Sequence, residues 1–305
     1  MDIRTSPYFG QVKLLLQVLP YVVEEKCFVL KGGTAINLFL RDMPRLSVDI
    51  DLTYVPIESR EISLSNISAA LKRIAKGIMK NFPDVRIQEI ALDTSGLIGK
   101  LIVRREEAQI KIEPNFVIRG LISPANERAL SRKAQGIFEM FVVAKTASLA
   151  DLYGGKICAA LDRQHPRDFY DIMFLLNNEG VTEAVRKGFI VYLISHDRPM
   201  HEVIKPTMKD FRKVFETEFL GMTNDPVTYE ELVDVRSRLI DGLSKGFTKE
   251  EKEFLISFKS LEPDWKLLGV EGVETLPAVR WKQANMKKMD PAKRRLFVEK
   301  LQDVL

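Results

Sequence analysis

A chain of 305 residues, 46% apolar and 29% charged, has room for one large domain or two ordinary ones and does not match a disordered or membrane-embedded composition. No apolar run approaches the roughly 18 to 20 residues that span a bilayer. The start, Met1-Asp2-Ile3-Arg4, lacks the basic and apolar regions of a secretory signal, so the expected location is the cytoplasm, with no membrane partner. The net charge of +4 decides little, but its distribution is uneven. Near the end, Arg280, Lys282, Lys287, Lys288, Lys293, Arg294, Arg295 and Lys300 stand against Asp290, Glu299 and Asp303. Such a surface suits a phosphate backbone, RNA being one candidate, or is an ordinary solvated helix face. Cys27 and Cys158 sit among apolar residues without metal or redox spacing and read as buried, reduced thiols.

In chain order, Leu14 to Val23 is an amphipathic helical stretch broken by Pro20. Phe28-Val29-Leu30 is a short strand running into Lys31-Gly32-Gly33-Thr34, after which Ala35, Ile36, Leu38, Phe39 and Leu40 return at helical spacing. Val48 to Val55 alternates apolar and polar residues, as a strand with one buried face does. Ser65 to Phe82 carries Ile67, Leu71, Ile74, Ile78 and Met79 at the period of a packed helix. Strand-like runs follow at Arg86 to Leu92, Leu97 to Arg104 and Gln109 to Phe116, so an α+β sheet with antiparallel pairs fits. A polar Asn126 to Lys133 stretch and Gly136 then separate the sheet from a helix-rich remainder, including Ser148 to Leu161 and Arg167 to Leu176. The expected division is residues 1–140 and 141–305.

Residues two apart on a strand share a face. Asp49 and Asp51 therefore lie together, with Val48, Ile50 and Leu52 turned into the core. Parallel carboxylates at that spacing repel unless a cation sits between them. Mg²⁺, or Mn²⁺ in its place, suits them because it takes oxygen ligands from one or two carboxylates plus substrate phosphates. In Gln109-Ile110-Lys111-Ile112-Glu113 the same alternation makes Glu113 the third metal ligand. Gly32 and Gly33 let the backbone approach a phosphate, and Thr34 opens a helix whose free N–H groups face it. Lys31 and Ser47 complete the expected nucleotide contacts, although Ser47 is equally able to hydrogen-bond the loop itself. The Lys-Ser/Thr ending of a P-loop is absent, and so is any Gly-x-Ser-x-Gly or Cys–His arrangement. His165, His196 and His201 lack zinc spacing and read as surface or capping residues.

Farther on, Leu152-Tyr153-Gly154-Gly155-Lys156 is followed by Arg163 and by Arg167-Asp168-Phe169-Tyr170-Asp171-Ile172. Pro166 fits the start of a helix. Its stripe would be Phe169, Ile172, Met173 and Leu176, with Asp168 and Asp171 on another face. Lys156 would neutralise triphosphate charge, and Asp168 would orient that lysine or accept the substrate's hydroxyl proton, both converging on the cleft. A structural salt bridge among these residues is the other reading.

The order strand, Gly-Gly-Thr, helix, Asp-x-Asp strand resembles the nucleotidyltransferase (DNA polymerase β-like) superfamily. Within it, Lys31-Gly32-Gly33-Thr34-Ala35 and Arg45-Leu46-Ser47-Val48-Asp49-Ile50-Asp51-Leu52 resemble the AbiEii/AbiGii toxin family, the nucleotidyltransferase partners in abortive-infection toxin–antitoxin systems. The resemblance is tight over residues 28–54 and looser over 149–176, where Gly154-Gly155 departs from it by standing where a helix former is expected. It implies a small mixed, largely antiparallel sheet with flanking helices and a helical C-terminal domain. It further implies that Lys156 and Asp168 are functional, that a nucleotide passes from an NTP to an RNA acceptor, the tRNA 3′ end, to arrest growth, and that a cognate antitoxin is the partner. Two alternatives stay open: an enzyme that modifies proteins by nucleotidylation or phosphorylation, and a nucleotide-binding module without catalysis. The intact Asp49, Asp51 and Glu113 argue against the second.

Overall fold

The structure, a computed structural model, describes residues 3–305. They group into two compact units, one of residues up to Ser148 with Leu220–Pro226, the other of Leu149–Phe219 with Val227–Leu305. The strand at 143–146 and the returning segment thus belong to the first unit, beyond the division at residue 140 expected from composition.

The first unit opens with α1 (Phe9–Val23), which runs through Pro20 rather than ending there. Proline removes one helical hydrogen bond, but Val12, Leu15, Leu16, Leu19 and Val22 are buried along the helix, and that packing outweighs the loss. Next come β1 (Phe28–Lys31) and α2, whose first turn, Gly32–Thr34, continues as a π-wound segment, Ala35–Leu40. The Arg41 N–H reaches back five residues to the Ile36 carbonyl. Strand β2 (Asp49–Tyr54) precedes α3 (Arg60–Asn81), capped by the Ser59 hydroxyl. Ile67, Leu71, Ile74 and Ile78 form the buried stripe of α3. Met79 does not join them; it is 48% exposed because Ile78, one position earlier, already fills that place against the core.

Strands β3 (Arg86–Ala91), β4 (Ile98–Arg105) and β5 (Ala108–Asn115) form a meander. After it come β6 (Asn126–Ala129), α4 (Arg132–Phe138) and β7 (Val143–Thr146). The polar stretch read as a separator thus holds an edge strand. Asn126-Glu127-Arg128-Ala129 pairs along β7 only, and an edge needs no apolar pattern. The seven strands run in the order β3-β4-β5-β2-β1-β7-β6. β1 pairs with β2, β3 with β4, β4 with β5 and β6 with β7 antiparallel, while β1–β7 and β2–β5 are parallel. Ile50, Leu52, Leu101, Val103, Ile110 and Ile112 pack the core face of this sheet.

The second unit is helical: α5 (Leu149–Arg163), α6 (Pro166–Asn177), α7 (Glu183–Ser195), α8 (Met200–Ile204) and α9 (Arg212–Val214), the last continuing as a π-wound turn to Phe219. Then follow α10 (Tyr229–Gly246), α11 (Lys249–Lys259), α12 (Trp265–Leu268), α13 (Pro277–Lys287) and α14 (Pro291–Gln302). The Thr228–Glu231 and Thr248–Glu251 capping boxes start α10 and α11. Among the described residues no helix is long and apolar enough to cross a membrane.

Gly154 and Gly155 do not interrupt α5; they let α7 cross it at backbone contact. A Cβ on Gly154 would lie 2.5 Å from the Gly188 carbonyl carbon and 2.7 Å from the Phe189 nitrogen, and one on Gly188 would collide with the Ala150 carbonyl. The sequence departure is therefore a packing device. Gly154→Ala should cost about 1–3 kcal/mol or more, since backbone cannot move aside as a side chain can. Gly155→Ala, which meets the Tyr192 ring at 2.9 Å, should cost less. Thermal melting of the two variants checks the order.

Candidate active site

The acidic strand owes its geometry to pairing on both sides. Lys31 lies opposite Asp51 on β1, while Lys111 and Glu113 on β5 stand beside Asp49 and Asp51. Cross-strand partners share a face, so three carboxylates and two lysines meet on the side away from Ile50, Leu52 and Ile112. The Glu113 carboxylate is tied to Lys100 of β4. Among the described residues no three acidic, histidine or cysteine side chains gather tightly enough to hold a metal by themselves. Glu113 thus shares the face of Asp51, but one of its oxygens is engaged by an ammonium.

The glycine turn is shaped around Asp51. Gly32 has φ +69°, a left-handed conformation that a side chain disfavours. A Cβ at Gly32 would also fall onto the Asp51 carboxylate. Any larger residue would therefore displace the acid or the turn. A Cβ on Gly33 would lie 2.8 Å from the Arg45 guanidinium and 2.9 Å from the Ser47 hydroxyl. Thr34 is fully buried; its hydroxyl donates to the Asp49 carbonyl at 2.5 Å and lies 3.0 Å from the Ser47 Oγ. The side chains of Thr34 and Ser47 thus link the turn to the acidic strand.

Sequence reasoning gave Arg45 no firm role. It is 3% exposed, lies against Gly33 and donates to the Leu46 carbonyl at 2.9 Å. The stretch it belongs to is braced by the returning segment: Leu46 N–H bonds the Met222 carbonyl at 2.7 Å, Asn224 N–H bonds the Pro44 carbonyl at 3.1 Å, and Arg45 bridges to Thr223. Seven residues without periodicity, nearly 180 positions away, offer no sequence signal for this. On the same sheet face, beyond Thr53, a groove is lined by Val29, Val55, Ile122, Pro124, Lys26 and Lys145.

Two oxygen donors on one strand, with a side-chain-free turn pressed against one of them, fit a magnesium ion that takes its remaining ligands from phosphate and water. The set carries no nitrogen or sulfur donor that would favour zinc. Both cysteines are free; Cys158 is buried as expected but Cys27 only half-buried, and desolvation pushes both thiols up, Cys27 to about 11.

In the helical unit, Lys156 is 8% exposed. Its Nζ sits 3.0 Å from Asp168 Oδ1 and 2.9 Å from Asp171 Oδ2. Arg163 adds bonds of 2.5 and 2.8 Å to Asp168. The stripe of α6 is Phe169, Ile172 and Leu175; Met173 and Leu176 are only half-buried, while Asp168 and Asp171 are as buried as the apolar residues. Burial opposes ionisation of Asp168, but the charges of Lys156 and Arg163 outweigh it and hold the carboxyl well below the usual carboxylate range. His165 caps α6, its Nδ1 accepting from Arg167 N–H at 3.2 Å.

Known proteins bear on this arrangement in two ways. The family model described as nucleotidyl transferase AbiEii toxin, type IV TA system, matches residues 13–285. Among solved structures, the chain is similar to MenT4, a nucleotidyltransferase toxin from Mycobacterium tuberculosis H37Rv, with 14% identity, a TM-score of 0.60, and coverage of 96% of this chain and 92% of that one. At that identity the likeness speaks for the fold. No curated protein matches. A family match over nearly the whole chain, on a sheet that carries the paired aspartates behind a glycine turn, makes the assignment: this chain belongs to the AbiEii family, the nucleotidyltransferase toxins of type IV toxin–antitoxin systems.

Proposed function

We propose that this toxin moves a nucleotide from an NTP to the 3′ hydroxyl of an RNA, the tRNA 3′ end being the acceptor, with Mg²⁺ held by Asp49 and Asp51. The observation that carries the reading is the close approach of the Gly32 turn to the Asp51 carboxylate, which sets side-chain-free backbone beside a carboxylate oxygen. Divalent ions there would supply positive charge to the attacking hydroxyl and the leaving pyrophosphate.

The protein's own part is to bind and orient. Backbone N–H groups of Gly32 and Gly33 cradle the triphosphate, and Lys31, opposite Asp51, adds a cation to it. The acceptor oxygen attacks the α-phosphorus, its proton passing to solvent, and the bond from that phosphorus to the oxygen bridging to the β-phosphate breaks, releasing pyrophosphate. Glu113 joins Asp49 and Asp51 as third ligand once the triphosphate draws Lys100 from it. Lys156 serves as a phosphate cation, with Asp168 and Asp171 as its positioning residues. Between Lys156 and Arg163, Asp168 is read as a positioning residue rather than as the base that takes the hydroxyl proton. A cytoplasmic location, growth arrest and control by a cognate antitoxin follow from the same reading.

The test incubates the full chain with each α-labelled NTP, Mg²⁺, tRNA and total protein. Label entering tRNA, and lost on adding EDTA, is the expected result. Label confined to protein overturns the RNA acceptor, and transfer undiminished by chelation overturns the metal.

A further inference from the structure

Phe297 of α14 gathers an unusual amount of positive charge. The Nζ atoms of Lys259, Lys293 and Lys300 lie 4.9, 5.7 and 5.9 Å from its ring centroid, and the His201 ring meets it edge-on at 5.4 Å. Three ammoniums around one ring repel one another, and the ring's negative face offsets only part of that. None of the three makes an ion pair with a carboxylate among the described residues.

Lys259 is the telling member. It ends α11, is 3% exposed, and has no hydrogen-bond or ion-pair partner among the described residues. A lysine with its stem buried and no acceptor for its ammonium is costly to keep. Burial first, and the charges of Lys282 and Arg294 next, push its pKa down to about 8. Burial chiefly, with help from Lys300 and Lys259, lowers that of His201 as well, against the opposing pull of Glu202. Lys282, by contrast, is satisfied: it donates to the carbonyls of His196, Asp197 and Arg198 at the end of α7. Among the described residues Lys259 is therefore the buried lysine without an acceptor, while Lys293 and Lys300 stand exposed beside it. Most of this group lies on α14, outside the matched span 13–285.

We propose that Lys259, Lys293 and Lys300, arranged around Phe297, form a clamp for the phosphate backbone of the acceptor RNA. The assignment rests on the RNA reading above and adds a contact region for that substrate in the helical unit. A backbone phosphodiester supplies the negative oxygens that the three ammoniums lack, and successive phosphates suit lysines spread over two helices.

The test is tRNA binding by the full chain, without NTP, by fluorescence anisotropy across a salt series. Lys259→Met, and separately Lys293→Gln with Lys300→Gln, should weaken binding several-fold at about 0.1 M salt and lower the log–log salt slope by roughly 0.7 to 0.9 per lysine. Lys259→Met should melt no lower than the parent, because methionine fills the same space without an unpaired charge. NTP affinity should be unchanged in all variants. Unchanged RNA affinity and slope overturn the proposal, whether or not Lys259→Met melts lower. So does inorganic phosphate that raises the melting temperature of the parent but not of Lys259→Met while RNA affinity is unchanged, which marks a small-anion site. Label entering protein while the variants lose tRNA binding would fail the acceptor reading alone; label entering tRNA with binding unaffected would fail the clamp alone.

Discussion

Asp49→Asn and Asp51→Asn should each lower nucleotide transfer by roughly 10³-fold or more while the protein melts within about 2 °C of the parent. The loss exceeds that of a single oxyanion donor, because on the proposed reading each carboxylate would help hold the metal charge that serves the reaction. The stability effect is small because both acids are only half-buried, and neutralising one relieves repulsion from its neighbour, leaving a change of about 0.5 kcal/mol either way. Label transfer and a thermal melt on the same preparation check both halves. Near-parental activity in either variant would remove the metal assignment.

Lys156→Ala is the second large effect, and it falls on stability as well as rate. Removing the ammonium takes a cation from two buried carboxylates, Asp168 and Asp171. Stripping one partner from a buried pair costs about 3–5 kcal/mol, or a drop of about 6–15 °C for a unit of this size. The sign of the pH dependence follows from Asp168, whose folded carboxyl titrates below its unfolded value. Its contribution is complete above about pH 4, where the unfolded carboxyl is ionised, and is lost as the pH falls through the folded value. Lys156→Met should therefore move the acid-unfolding midpoint upward, followed by circular dichroism against pH. Transfer rates corrected for folded fraction separate the two roles: a phosphate cation loses roughly 10²-fold beyond unfolding, a purely structural lysine nothing.

The parts of the fold legible in the sequence were those that depend on near neighbours. Alternation in 48–55 put Asp49 and Asp51 on one face, and the Gly-Gly step announced a turn that backbone alone could make. The same alternation in 109–113 aligned Glu113, but not its bond to Lys100, which comes from a neighbouring strand's register. What escaped was decided by distant packing. Pro20 reads as a breaker until the apolar residues around it are seen to be buried. Gly154 reads as a defect until Gly188 is seen against it. Asp168 and Asp171 looked like a polar face because charged residues usually seek water; they are interior, which Lys156 and Arg163 make tolerable. Lys259 was one lysine among many until Phe297 folded over it.

The segment Leu220–Pro226 carries a consequence for anyone dissecting the gene. The sheet unit is not a contiguous stretch of sequence, so a fragment ended at Ser148 would leave Pro44–Leu46 without the strand-like neighbour that holds Arg45 against the glycine turn. Such a truncation would yield a sheet with its acids still aligned but a slack loop above them. Inactivity of that fragment would then report a missing brace, and would say nothing about whether the helical half takes part in the chemistry.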